Sequence, residues 1–63
     1  MKFAACYDVT FKEVCEIYFF TADDLDSAIA YIKSLDWTFA CFRGDPIVHI
    51  CNEHGLILAR VTV

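Results

Sequence analysis

The stretch Thr21-Ala22-Asp23-Asp24-Leu25-Asp26-Ser27-Ala28-Ile29-Ala30-Tyr31-Ile32-Lys33-Ser34-Leu35 decides the fold. Leu25, Ala28, Ile29 and Ile32 recur at helical spacing and make a single apolar stripe. Ser27, Ala30, Lys33 and Ser34 fall on the other side. Thr21 followed three positions later by Asp24 resembles a capping box, with Asp in place of the usual Glu or Gln. Asp23, Asp24 and Asp26 then stand in the first turns, where the helix dipole favours anions. The pattern predicts one amphipathic helix, capped at Thr21 and ending near Leu35 or Asp36.

Outward from the helix the sequence changes period. Residues 2–9 and 13–21 are rich in Phe, Tyr, Val, Ile and Cys and read as strands. A tight connection near Thr10 to Lys12 would make them a hairpin, although Val9-Thr10-Phe11-Lys12 lacks Asn-Gly turn chemistry. On the far side Trp37 to Phe42 reads as a third strand, and Gly44-Asp45-Pro46 as a turn. Ile47 to Cys51 and Leu56 to Val63 read as the last two strands. Asn52-Glu53-His54-Gly55 between them fits a type I turn followed by a left-handed Gly. With only two Gly and one Pro, connections are short and no linker or repeat is visible. The expected fold is α+β: one domain over residues 1–63, a small antiparallel sheet with one helix, in the order ββαβββ, or ββαββ if the third strand, 37–42, is short.

Sixty-three residues bury only ~60% of the surface that the unfolded chain exposes, and a core this small supplies about 3–5 kcal/mol. Against it stand 59% hydrophobic residues, with six Phe, three Tyr and one Trp, and a mean hydropathy of +0.49. In the last hairpin Ile47, His49 and Cys51 alternate with Val48 and Ile50. Leu56 and Leu58 alternate with Ile57, Ala59, Val61 and Val63. A sheet with one wet face shows apolar/polar alternation instead. One helix covers one face, so the other is expected to meet a partner protein or a second copy of the chain, as a homo-oligomer.

No uninterrupted apolar run approaches the ~18 residues of a membrane span, and the start lacks an export-type apolar stretch, so the chain reads as cytoplasmic. The four cysteines Cys6, Cys15, Cys41 and Cys51 are then expected as reduced, buried thiols acting as small hydrophobes. Nine acids against five scattered bases, a formal charge of −4, disfavour direct nucleic-acid binding.

Three constellations could carry chemistry. Cys41, His49, Cys51 and His54 are zinc-type residues, but no Cys-x-x-Cys pair sets a zinc spacing, and no metal or other cofactor is expected. Cys51 or Cys41 with His49 could form a nucleophilic pair. It would need a concave pocket and oxyanion donors, so no enzyme activity and no catalytic residue is expected. Asp23, Asp24, Asp26 and Asp36, with Glu13 and Glu16 before them, are the candidate partner-binding residues, an acidic surface for a basic site on another protein. Arg43-Gly44-Asp45 reads as a turn.

The run Tyr18-Phe19-Phe20-Thr21-Ala22-Asp23-Asp24-Leu25-Asp26-Ser27-Ala28-Ile29 passes from strand through an acidic turn into the helix. It resembles small phage-encoded host-takeover inhibitors and anti-CRISPR proteins, and is also similar to the strand–helix junction of HicB-type antitoxins. The resemblance spans about a third of the chain and carries over no functional residue. It implies a small acidic inhibitor that binds and blocks a host nucleoprotein or enzyme. The alternative reading is a homo-oligomeric regulatory module that binds a small ligand or metal.

Overall fold

The computed structural model describes residues 1–9 and 16–63. Four strands, β1 (Lys2–Tyr7), β2 (Glu16–Thr21), β3 (Ile47–Asn52) and β4 (Ile57–Thr62), and one helix, α1 (Leu25–Ser34), follow in the order ββαββ. The strands form one sheet in the order β2-β1-β3-β4, and every neighbouring pair is antiparallel. β2 and β3 therefore run parallel with β1 between them, and α1 carries the crossover. The expected connection near Thr10 to Lys12 lies outside the described residues.

Side chains alternate across the sheet, and the register fixes each face. Phe3, Ala5, Val48, Ile50 and Val61 point to the helix side and are buried, where they meet Ala28 and Ile32 of α1. Phe3, Ile32, Ile50 and Val48 are the largest fully buried side chains, each worth about 1.5–3 kcal/mol relative to exposure. The predicted stripe holds: Ala28 and Ile32 are buried, and Leu25 and Ile29 pack half-buried beside them. Ser27, Ala30, Lys33 and Ser34 are exposed.

The helix start differs from the expected box. Asp24, not Thr21, is the cap: it has extended backbone angles, and its Oδ1 accepts from the Ser27 amide at 2.7 Å. Thr21 still belongs to β2, paired with Lys2. A residue held in a ladder cannot also turn its side chain over the first helical amides. The predicted last turn is correct, with Leu35 as C-cap.

The segment 37–42 does not form a strand. Asp36 Oδ1 accepts from the Thr38 amide at 2.9 Å and from Thr38 Oγ1 at 2.7 Å, so the amide that would begin a ladder is taken by a turn. The Ala40 amide closes that turn on the Trp37 carbonyl at 3.0 Å. Among the described residues Phe42 makes an isolated bridge with Val9.

The last hairpin follows its predicted turn. Gly55 has φ +83°, and Asn52 Oδ1 accepts from the amides of His54 at 2.9 Å and Leu56 at 3.0 Å. Its strict alternation does not survive. The register shifts between Ile50 and Cys51, as at a bulge. Leu58 and Ala59 both pack against the core, while Ile57 pairs with Cys51 on the opposite face.

Candidate protein-interaction surface

The face of the sheet away from α1 is crossed by two rows of paired residues. One row runs Phe19–Ala4–Cys51–Ile57 and the next runs Ile17–Cys6–His49–Arg60, each taking one residue from every strand. The first row is apolar from edge to edge. Its middle is small and low, with Ala4 and Cys51 both buried, whereas Phe19 is 77% exposed and Ile57 is 55% exposed. Ile17 stands beside Phe19 at 54% exposure, and Leu56 is exposed next to Ile57. Small residues in the centre and large ones at the edges make a trough. A cavity of about 430 Å³ lies over its β2 half, where Ala4, Cys6, Ile17, Phe19 and Cys51 are among the lining residues.

The two rims are three interstrand spacings apart, about 14 Å. An α-helix with its side chains measures about 10–12 Å across, so the trough has the width of one helix. The apolar exposure is not a product of an open chain. The accessible surface of 4402 Å² is close to the ~4100 Å² of a compact monomer of this mass.

The thiols divide. The Sγ atoms of Cys6 and Cys51 lie 4.0 Å apart on the trough floor. Cys51 is buried and Cys6 half-buried, as expected of small hydrophobes, but Cys41 is exposed, because it follows the turn at Trp37–Ala40 rather than lying in a strand. Cys15 is outside the described residues. Cys41, His49, Cys51 and His54 do not converge. His49 and Cys51 share the open sheet face through the register, whereas His54 sits in the hairpin turn with its Nε2 3.7 Å from Glu53 Oε1. Among the described residues no group of three or more His, Cys, Asp or Glu is placed to hold a metal ion.

The four candidate aspartates do not form one surface. Asp23, Asp24 and Asp26 are exposed at the start of α1 and Asp36 is exposed beyond its end, so a ten-residue helix of about 15 Å separates them. Asp24 and Asp36 are each held below the ordinary carboxylate range by hydrogen bonds, from Ser27 and Thr38 respectively. Both stay ionised at neutral pH. Glu13 is outside the described residues, and Glu16 is half-buried in β2.

Sequence reasoning placed the second apolar face in the last hairpin and missed Ile17 and Phe19. Their signal was present: Ile17-Tyr18-Phe19-Phe20 is apolar on both alternating sets. Among the described residues no helix is long and apolar enough to cross a membrane. The chain matches no family model, no curated protein and no solved structure.

Proposed function

We propose that this chain is a small acidic protein-binding inhibitor that seats an amphipathic helix of a larger protein in the sheet trough between Phe19 and Ile57. The apolar row Phe19–Ala4–Cys51–Ile57 carries this reading. Helix-in-groove recognition needs an apolar floor, raised edges and a width of one helix, and this face offers all three. The net charge of −4 favours a basic target such as a nucleic-acid-handling protein, because opposite charge speeds encounter and orients docking. No step in this activity is catalytic.

The test uses parent and Phe19→Lys proteins as paired baits in a bacterial host. A target held by the parent, lost from the variant and slowed in its own activity by the parent supports the reading. A target captured equally by both would place the interaction elsewhere, and an unaffected target activity would remove inhibition. The same trough also admits a second copy of the chain, since its central row carries no charge. Light scattering separates the two occupants by mass.

A further inference from the structure

A second group of aromatics, Tyr18 and Phe39 exposed and Tyr7 and Trp37 half-buried against the core, lies on the helix side of the sheet, at the C-terminal end of α1. Tyr7 at the end of β1, Tyr18 on β2, and Leu35, Asp36, Trp37 and Phe39 line a cavity of about 230 Å³. This is smaller than the ~300 Å³ at which sites for drug-sized ligands begin; it has room for one head group. The Tyr7 and Trp37 rings stand at 83° with centroids 5.2 Å apart. Phe39 lies within 20° of parallel to Trp37, at 6.0 Å. Tyr7 is thus a wall set across the Trp37–Phe39 pair. Trp37 is fixed, because its Nε1 donates to the Ile32 carbonyl at 2.8 Å. Phe39 is 70% exposed, an apolar side chain left in water at the rim.

The one charged residue of this lining is Asp36. Its carboxylate is oriented by the Thr38 amide and hydroxyl. An anion would be repelled here, and a neutral apolar ligand would strip water from the carboxylate without replacing it. A methylated ammonium satisfies both parts of the lining. Its charge is spread over methyl groups that sit against aromatic faces, and the carboxylate supplies the counter-charge.

We propose that Tyr7, Tyr18, Trp37, Phe39 and Asp36 form a binding site for a quaternary or methylated ammonium head group. The site lies on the helix-bearing side, away from the trough, and stands or falls independently of the docking reading. Its ligand comes either from a methylated lysine on a protein or from a free quaternary amine, and both present the same chemistry.

Trp37 is the sole tryptophan, so its fluorescence reports the site directly. Choline chloride titrated into the whole chain is expected to give a saturable change with a midpoint of about 1–10 mM. Sodium chloride and 3,3-dimethyl-1-butanol, the uncharged carbon analogue, are expected to give none. Phe39→Ala removes an exposed ring, and Asp36→Asn keeps the oxygen that accepts from Thr38 while removing the charge. Each is expected to weaken choline binding about fivefold with an unchanged melting curve. A trimethyl-lysine peptide that competes more strongly than choline assigns the head group to a protein tail, and the reverse assigns it to a free amine. The proposal is overturned if the neutral analogue binds as well as choline, if the choline response is only the linear one of salt, or if both variants bind like the parent.

Discussion

The phenol oxygens of Tyr18 on β2 and Tyr31 on α1 lie 2.7 Å apart, joined by one hydrogen bond between the sheet edge and the helix. The hydrogen bond with Tyr18 raises the Tyr31 pKa above the ordinary 10.0, with desolvation adding to it. A raised folded-state value means that this contribution to stability is complete below pH 10 and is lost as pH climbs through the raised value. Melting temperature is therefore expected to fall on the alkaline side of pH 10. In Tyr18→Phe the Tyr31 phenolate, followed by its absorbance, is expected to form at lower pH, and the alkaline loss to shrink. Unchanged titration in the variant would remove the bond from the account.

Ile32 is fully buried beneath the sheet. Ile32→Ala is expected to cost about 2–5 kcal/mol, comparable with the whole stability of a domain this small. Ala30→Glu, on the exposed side of the same helix, is expected to stay within about 0.5 kcal/mol. Urea unfolding of the two checks which side of α1 faces the core; equal losses would contradict the packing described.

The cap assignment is tested at Asp24. Asp24→Ala is expected to lower the melting temperature at neutral pH, and Thr21→Ala to leave it nearly unchanged. Hydrogen bonding from Ser27 lowers the Asp24 pKa below its ordinary 3.8. A depressed folded-state value gives stability that is present above pH 3.8 and lost as pH falls through the lower value. The gap between parent and Asp24→Ala should accordingly narrow in acid below pH 3.8. A gap that is constant with pH would mean that the carboxylate is not the capping group.

Phe19 projects from the trough rim, exposed and outside the buried core. Phe19→Lys is expected to leave the melting curve in place and to abolish association through the trough. If the parent self-associates, light scattering should show the variant at the monomer mass of 7.2 kDa. Persistence of the assembly in the variant would move the interface off this face.

Acidic steering is read from kinetics. Once a target is known, Asp26→Asn with Asp36→Asn is expected to slow its association at low salt. The deficit should close as salt rises, because exposed charges are screened over ~8 Å at physiological ionic strength. Equal rates at low salt would leave Asp26 as helix-start electrostatics and Asp36 as the residue that closes the turn on Thr38.

The helix, the two outer pairs of strands along the chain and the last turn were legible because each rests on local chemistry: a stripe at period 3.6, runs of strand-forming residues, a Gly in the left-handed region. The cap was misread because Thr21 and Asp24 both fit the pattern, and only the pairing of Thr21 with Lys2 decides between them. The segment 37–42 has strand composition, but its backbone is governed by Asp36, whose side chain competes for the Thr38 amide. The bulge after Ile50 has no marker residue, so the exchange of faces by Ile57 and Leu58 was invisible. The trough is a product of register. Which small residues become floor and which large ones become rim depends on pairings between positions far apart in sequence.

That topology also sets a timetable for the newborn chain. β1 lies between β2 and β3, and its inner edge pairs Phe3 with Asn52. β1 thus waits for about 45 further residues to be made before its second neighbour exists. At about 5–20 residues per second that delay is ~2–10 s. Throughout it the paired strands β1 and β2 carry Phe3 and Phe20 without the core that shelters them, and an isolated strand pair is marginal in water. Yield in a cell is therefore expected to follow chaperone supply, and slowing translation of the codons between β2 and β3 should lower it.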